Sequence, residues 1–224
     1  MASQFKHKRK NVSCQSDEQG FSVSELLTVV AIIFILSAIS IPYFLNYTKL
    51  YKSEDQALKV VDLMREAGQL ALTRRRTIRF EIDLTENAAL IIDENGAAED
   101  FRIKTIPLEK PLEVRLDMAP DGVTAPAPPS YADAEFVSDS LGHDFGGTSV
   151  SGHQVWQARF RSDGTVIDGN GNPISATLYF WPPITPGSTA SRDGNGEVRA
   201  LTLFGGSGAM RYWRYKDGAF VPFQ

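Results

Sequence analysis

Cysteine and histidine are scarce in this chain, and their scarcity closes off whole classes of function. Cys14 is the only cysteine, so no disulfide within the chain can brace a domain. Three histidines, His7, His143 and His153, leave little imidazole for acid–base or metal chemistry. No nucleophile elbow and no zinc-helix spacing accompanies them. His143, beside Asp144, and His153 read as loop residues, so the expectation is a chain that is not an enzyme and carries no cofactor or catalytic metal. Positive charge is not in excess either. Against 23 Lys and Arg stand 27 Asp and Glu, a net charge of −4, which gives no general attraction for nucleic acid.

What the chain does have is a long apolar run behind a basic start. Lys6, His7, Lys8, Arg9 and Lys10 are followed by polar residues from Asn11 to Gln19, then by Gly20-Phe21-Ser22-Val23-Ser24-Glu25. The run Leu26–Leu45 is broken only by Thr28, Ser37, Ser40 and Pro42. With Phe21 to Glu25 it has about the 20–25 residues that cross a bilayer core. A secretory signal would place its apolar core before a small-residue cleavage site and lose it. Here the glycine precedes the apolar run. The basic leader favours a cytoplasmic N-terminus, with the rest on the other side of the membrane. Cys14 is not a lipoprotein cysteine, because no apolar segment precedes it.

Glu25 stands out. An acidic side chain in mid-span costs roughly 2.5–3.5 kcal/mol on insertion scales, so such residues usually have a partner. Near a helix N-terminus the cost falls, because the macrodipole favours a negative charge there. Cleavage after Gly20 would add a free amine on Phe21, which at i, i+4 shares a helix face with Glu25. A neighbouring subunit's amine could take the same carboxylate and set the axial register. The plainer alternative is an interfacial residue at the membrane edge.

The segment Gly20-Phe21-Ser22-Val23-Ser24-Glu25-Leu26-Leu27-Thr28-Val29-Val30-Ala31-Ile32-Ile33 resembles the class III signal of type IV pilins and type II secretion pseudopilins. The resemblance covers about 25 residues. It implies cleavage between Gly20 and Phe21 by prepilin peptidase, N-methylation of Phe21, and assembly through Glu25. It also implies a proline near the end of the span, matched by Pro42, where a helix kink is expected. Ser22 and Ser24 are more polar than the usual pattern, and the leader is longer than many. Its loss would remove Cys14 and leave 19 basic and 25 acidic side chains, a net charge of −6. The implied partners are prepilin peptidase, sister pilins or pseudopilins through the N-terminal helix, and the inner-membrane assembly platform.

Beyond the span the helical pattern continues. Leu50, Ala57, Leu58, Val61, Met64, Gly68 and Ala71 recur at three- and four-residue steps, with charged residues between them. Arg74-Arg75-Arg76 suits the negative end of the helix dipole and marks the exit. A helix from Phe21 to about Thr73 would be about 80 Å long. Proline removes one backbone donor, so Pro42 should bend or loosen it.

The remainder reads as strands. Ile78, Phe80, Ile82 and Leu84 alternate with polar residues as one face of a half-buried sheet. Ala88–Ile92 returns after Glu86-Asn87, and Asp93-Glu94-Asn95-Gly96 closes that stretch. Leu112–Leu116 is a further candidate. Residues 117–152 are rich in Pro, Gly, Ala and Ser with little periodicity, and read as a disordered or loosely packed loop. Strands resume at Val155–Phe160, Ala176–Trp181, Val198–Phe204 and Met210–Tyr215, with tight turns at Arg161-Ser162-Asp163-Gly164 and Asp217-Gly218.

The order of long helix, Arg-rich exit, alternating strand, Phe160-Arg161-Ser162-Asp163-Gly164-Thr165 and a final Arg/aromatic strand resembles the GspH/FimT class of minor pseudopilins. The expected fold is α+β and pilin-like: a long, partly transmembrane N-terminal helix packed on a C-terminal antiparallel β-sheet domain. The expected parts are a cytoplasmic leader 1–20, a transmembrane half 21–45, a periplasmic amphipathic half 46–76, and a β-rich periplasmic domain 77–224 with its irregular loop at about 117–152. The expected function is that of a structural subunit of a type II secretion pseudopilus, inserted singly in the bacterial inner membrane. The alternatives are a FimT-like type IV minor pilin active in pilus assembly, adhesion or DNA uptake, and an unprocessed single-span protein with a periplasmic β-domain.

Two constellations bear on those alternatives. Asp168-Gly169-Asn170-Gly171-Asn172 and Asp193-Gly194-Asn195-Gly196-Glu197 place oxygen side chains at alternate positions, as calcium loops do. Tyr179 and Phe204 stand where the twelfth-position glutamate belongs, and Asn-Gly and Asp-Gly are favoured hairpin residues, so both read as turns. Arg211-Tyr212-Trp213-Arg214-Tyr215-Lys216 interleaves basic and aromatic residues, a pattern able to contact phosphate and stack on bases. Arg211, Arg214 and Lys216 are the candidate anionic-ligand surface. In a strand neither face is purely basic, which favours a structural strand or a protein-partner surface.

Overall fold

A computed structural model describes residues 22–94, 100–139, 151–192 and 196–223. The chain divides into two compact units, Met1–Phe44 and Leu45–Gln224. The fold is α+β, with one N-terminal helix that is apolar over its first part and two antiparallel sheets. Residues 1–20 and Phe21, where a leader and its cleavage site at Gly20–Phe21 are expected, lie outside the described residues, as do His143 and Asp144.

Helix α1 (Val23–Arg74) runs through both units. In the first unit, Val23–Ile41 has a mean hydropathy of 2.3 and none of it is buried, long and apolar enough to cross a membrane or to act as a signal sequence. Apolar side chains such as Leu27, Ile33 and Leu36 are exposed all round this stretch, the pattern of a helix that needs an apolar surrounding. The backbone is helical on both sides of Pro42.

In the second unit α1 turns amphipathic. Ser53, Gln56, Ala57, Val60, Val61, Leu63, Met64, Ala67 and Ala71 form one buried stripe, at the three- and four-residue steps that return to one helix face. Leu58, expected in that stripe, is 42% exposed instead, because it lies one step past the Ala57 row. The helix exits at Arg74. Arg75 takes a left-handed conformation (φ 53°) and Arg76 N–H closes back on the Ala71 carbonyl at 3.3 Å, the hydrogen bond of a Schellman cap. Arg74 and Arg76 both reach Asp93, at 3.1 and 3.8 Å.

The first sheet has the order β3-β2-β1-β5-β4, with β6 also on β5: β1 (Ile78–Asp83), β2 (Ala88–Asp93), β3 (Phe101–Pro107), β4 (Val137–Asp139), β5 (His153–Phe160) and β6 (Val166–Ile167). The second has the order β10-β9-β8-β7: β7 (Ala176–Phe180), β8 (Arg199–Phe204), β9 (Ala209–Lys216) and β10 (Ala219–Pro222). The main core joins the α1 stripe to Ile78, Phe80 and Ile82, to Trp156, Ala158 and Phe160, and to Leu178, Phe180, Leu201 and Leu203. The helix is therefore packed against one face of each sheet. Gly68 allows a close approach, since a Cβ there would sit 3.4 Å from Phe160.

Three expectations are corrected. First, β1 is buried on both faces rather than one. Its polar residues stay inside because they are paired: Arg79, 2% exposed, meets Glu94 at 2.8 Å, Asp100 at 3.0 Å and Glu81 at 3.3 Å. Second, Leu112–Leu116 is not a strand. Glu113 and Val114 N–H turn back onto the Lys110 carbonyl, and only Arg115 makes a bridge, to Trp181. Third, residues 117–136 are irregular yet packed, and Val137–Asp139 form β4. Ala119 and Val123 close a second core over Tyr179, Trp181, Val198, Ala200, Trp213 and Tyr215. Trp181 Nε1 donates to the Met118 carbonyl at 2.7 Å; Ala134 N–H donates to the carbonyl of Thr177 in β7, and Thr177 N–H donates to the Ala132 carbonyl, both at 2.8 Å. Residues 140–150 lie outside the described residues.

Candidate assembly helix and charged faces of the domain

The start of α1 is closed by a serine N-cap. Ser22 is the last non-helical residue, and its Oγ accepts the Glu25 N–H at 3.3 Å while its carbonyl accepts from Glu25 and Leu26, both at 3.1 Å. Ser-x-x-Glu is the sequence signature of a capping box, of which only the serine half is formed here, and Glu25 takes the N3 position, where the macrodipole favours its charge. The signature is legible in Ser22-Val23-Ser24-Glu25, yet the proposed pairing with Phe21 draws attention away from it. Because α1 begins at Val23, the i, i+4 pairing expected from a helical Phe21 rests on a residue outside the described ones. Glu25 is exposed, and among the described residues its carboxylate has no hydrogen-bond or ion-pair partner. Thr28 Oγ1, by contrast, is satisfied by the Ser24 carbonyl at 2.8 Å.

The domain is tied to its own stretch of α1 by charge as well as by apolar packing. Glu54 accepts from Arg199 of β8 at 3.1 Å and from Arg214 of β9 at 2.9 Å. Burial works to raise the Glu54 pKa, but the two guanidiniums outweigh it and the net shift is downward. Ser53 Oγ donates to the Glu197 carbonyl at 3.0 Å. Lys52 meets Glu109 at 3.1 Å and Glu113 at 3.4 Å, and its pKa is raised chiefly by the hydrogen bond to Glu109. Gln56 Oε1 accepts the Glu109 N–H at 2.7 Å. These four consecutive-turn residues reach partners 53 to 160 positions away, and no local pattern announces such pairings.

The basic-aromatic strand β9 is committed to the interior. Trp213 is 1% exposed and its Nε1 donates to Thr202 Oγ1 at 2.9 Å. Tyr212 lies in the main core, where burial pushes its phenol pKa up to about 12. Arg211 lies over the Trp213 ring at 5.3 Å and donates to the Pro128 carbonyl at 3.3 Å. Arg214 is held by Glu54 and stands 5.0 Å from the Phe223 ring. Lys216 is exposed. The buried rings of Tyr212, Trp213 and Tyr215 leave no platform for stacking bases.

The Asp168 loop has the geometry of a turn. Its Oδ1 accepts the N–H groups of Asn170 at 2.8 Å and Asn172 at 2.9 Å, and Gly171 supplies the left-handed residue (φ 88°). Burial raises the Asp168 pKa, the backbone N–H of Asn172 and Asn170 lower it, and the net direction is down. The companion loop at Asp193, with Gly194 and Asn195, lies outside the described residues. At the other two turns, Gly164 (φ 85°) ends the Arg161 turn, and Asp217 and Gly218 (φ 51° and 86°) have the paired positive φ of a type I′ hairpin.

Comparison of the chain with protein-family models, with curated proteins and with solved structures finds no match.

Proposed function

We propose that this chain is a minor pseudopilin, a structural subunit of a type II secretion pseudopilus that is processed by prepilin peptidase and assembled through its N-terminal helix. The observation that carries the reading is the start of α1: an apolar stretch, Val23–Ile41, none of which is buried, opened by a cap that sets Glu25 five residues after Gly20. The GspH/FimT-like body is supported by the amphipathic part of α1 packed on two antiparallel sheets. In this reading the leader stays cytoplasmic, Val23–Ile41 spans the bacterial inner membrane, and the β-domain is periplasmic. The partners are prepilin peptidase, sister subunits and the assembly platform. No contact of β9 favours the DNA-uptake alternative.

The test is the intact mass of the protein recovered from its host's membranes. Loss of residues 1–20, with one methyl group on Phe21, is the expected result. A chain that retains the leader refutes the reading and leaves the unprocessed single-span protein. Deleting the gene then separates the two machines: lost secretion with intact pili indicates a pseudopilus, and the converse a type IV pilus.

A further inference from the structure

Three side chains that can ligate a metal meet at one end of the first sheet. Asp83 closes β1, Glu86 lies on the turn to β2, and His153 opens β5. Each offers one ligand atom within 4.8 Å of the others. The Asp83 side chain is fully buried, and its Oδ1 accepts the N–H groups of Thr85 at 2.7 Å and Glu86 at 2.9 Å. That leaves Oδ2 directed at His153 Nδ1, 2.6 Å away. The backbone around the group is cross-braced. Leu84 N–H donates to the Gln154 carbonyl at 2.9 Å, and Gln154 N–H donates to Thr85 Oγ1 at 3.0 Å. The β1–β2 turn and the start of β5 thus hold their ligand atoms at fixed separation. Glu86 is exposed, so the group opens to water on one side.

We propose that Asp83, Glu86 and His153 form a binding site for one divalent transition-metal ion of the zinc class. The donor set is one imidazole nitrogen and two carboxylate oxygens, which suits zinc, cobalt or nickel. Calcium requires six to eight oxygen ligands, which this group does not supply. Two carboxylates beside one imidazole also make the locus acidic, and a buried carboxylate calls for a positive partner. At 2.6 Å the Asp83–His153 contact is a hydrogen bond, with a proton between the two atoms. Two ligands of a tetrahedral ion at about 2.0–2.1 Å stand about 3.3 Å apart, so the ion takes the proton's place as the two side chains part slightly. The imidazole stays neutral, its proton carried on Nε2 instead of Nδ1. Water fills the fourth position on the exposed side. The metal would clip the β1–β2 turn to β5, and the inference is independent of the assembly role proposed above.

The experiment is a calorimetric titration of the full-length, metal-stripped protein in detergent with zinc chloride. One ion per chain is the expected result, together with a visible absorption band of low coordination number when cobalt is used. Glu86→Ala, at an exposed position that the fold does not need, and His153→Gln should each weaken zinc by about 100-fold or more, since even a residue that only supports a ligand contributes 10–100-fold. Absence of zinc binding overturns the proposal. So does binding that both variants leave unchanged, which places the ion elsewhere, and so does calcium binding without zinc binding.

Discussion

Replacing Glu54 by glutamine tests whether charge ties the domain to its helix. The side chain is 23% exposed and answers two guanidiniums, that of Arg199 at 9% exposure and that of Arg214 at 39%. Exposed pairs contribute about 0–1 kcal/mol, and removing one partner of a buried pair costs about 3–5 kcal/mol. Arg199 stands near the buried limit and Arg214 near the exposed one. Arg199 also keeps the carbonyls of Gly196 and Val198 as acceptors, and glutamine keeps one acceptor oxygen. The loss should therefore be about 2 kcal/mol, or roughly 4–8 °C in the thermal midpoint. Urea unfolding followed by tryptophan fluorescence is the assay, because Trp156, Trp181 and Trp213 are all buried in the β-domain and are the only tryptophans. The sign of the pH dependence follows from the lowered Glu54 pKa. The stabilisation is complete above the ordinary carboxylate value of about 4.3 and disappears as pH falls through the lower folded value. The two proteins should differ at about pH 7 and converge towards about pH 3. A difference that persists unchanged at the acidic end, or none at neutrality, refutes the reasoning.

Three further outcomes are expected. Gly205→Ala should destabilise by about 1–3 kcal/mol or prevent folding, because a Cβ there would lie 2.8 Å from the Ile174 carbonyl carbon and closer still to its oxygen; the urea midpoint reports it. Millimolar calcium should leave the thermal midpoint and the amide exchange of residues 168–172 unchanged, since the Asp168 carboxylate already caps its own turn. Removing residues 1–44 should yield a water-soluble domain with the parental urea midpoint, because the cores and the helix ties that hold the β-domain all fall between Lys52 and Phe223.

Much of this architecture was legible because it repeats locally. The two-residue period of Ile78, Phe80 and Ile82 marks β1, and the helical period of Ala57, Val61, Met64 and Ala71 marks the packed stripe of α1. Glycines and Asp-Gly pairs mark the turns at Gly164 and Asp217-Gly218. What stayed hidden depends on distant partners. The alternation in β1 does not tell that Arg79 and Glu81 are buried, since their partners come from other segments. Phe101–Pro107 alternates only over Phe101-Arg102-Ile103-Lys104, the period breaks at Thr105-Ile106, and a register shift falls opposite Ile91 and Ile92, so its strand signal is short. Residues 117–123 have no period of their own, and their order comes from Trp181, whose ring Arg115 covers at 5.3 Å. At the candidate assembly site, the capping serine was readable and the partner of the Glu25 carboxylate was not, because the latter depends on what surrounds the helix.

In the proposed assembly, specificity between helices would fall to the Glu25 carboxylate, which has no partner among the described residues. Twelve large apolar side chains between Val23 and Ile41 are exposed. At about 1.5–3 kcal/mol each, leaving them in water costs on the order of 20–35 kcal/mol, more than the roughly 5–15 kcal/mol that stabilises a typical protein. Lipid or other helices must cover them. In lipid, however, apolar surface gives helices little reason to prefer one another, and association rests on packing and on polar contacts. Thr28 spends its hydroxyl on its own backbone, and Ser22 and Ser24 bond to each other at 2.7 Å. Glu25 alone brings a charge without a partner among the described residues. Two roles for it make opposite demands. As the N3 residue of the cap it can be replaced by glutamine, which serves that position equally. As the acceptor of a neighbour's amine it cannot, because glutamine has no charge. Glu25→Gln should therefore keep leader removal and helix content yet abolish cross-linking between subunits, as Glu25→Ala should. A glutamine variant that assembles normally confines Glu25 to the cap and moves recognition to some other part of the chain.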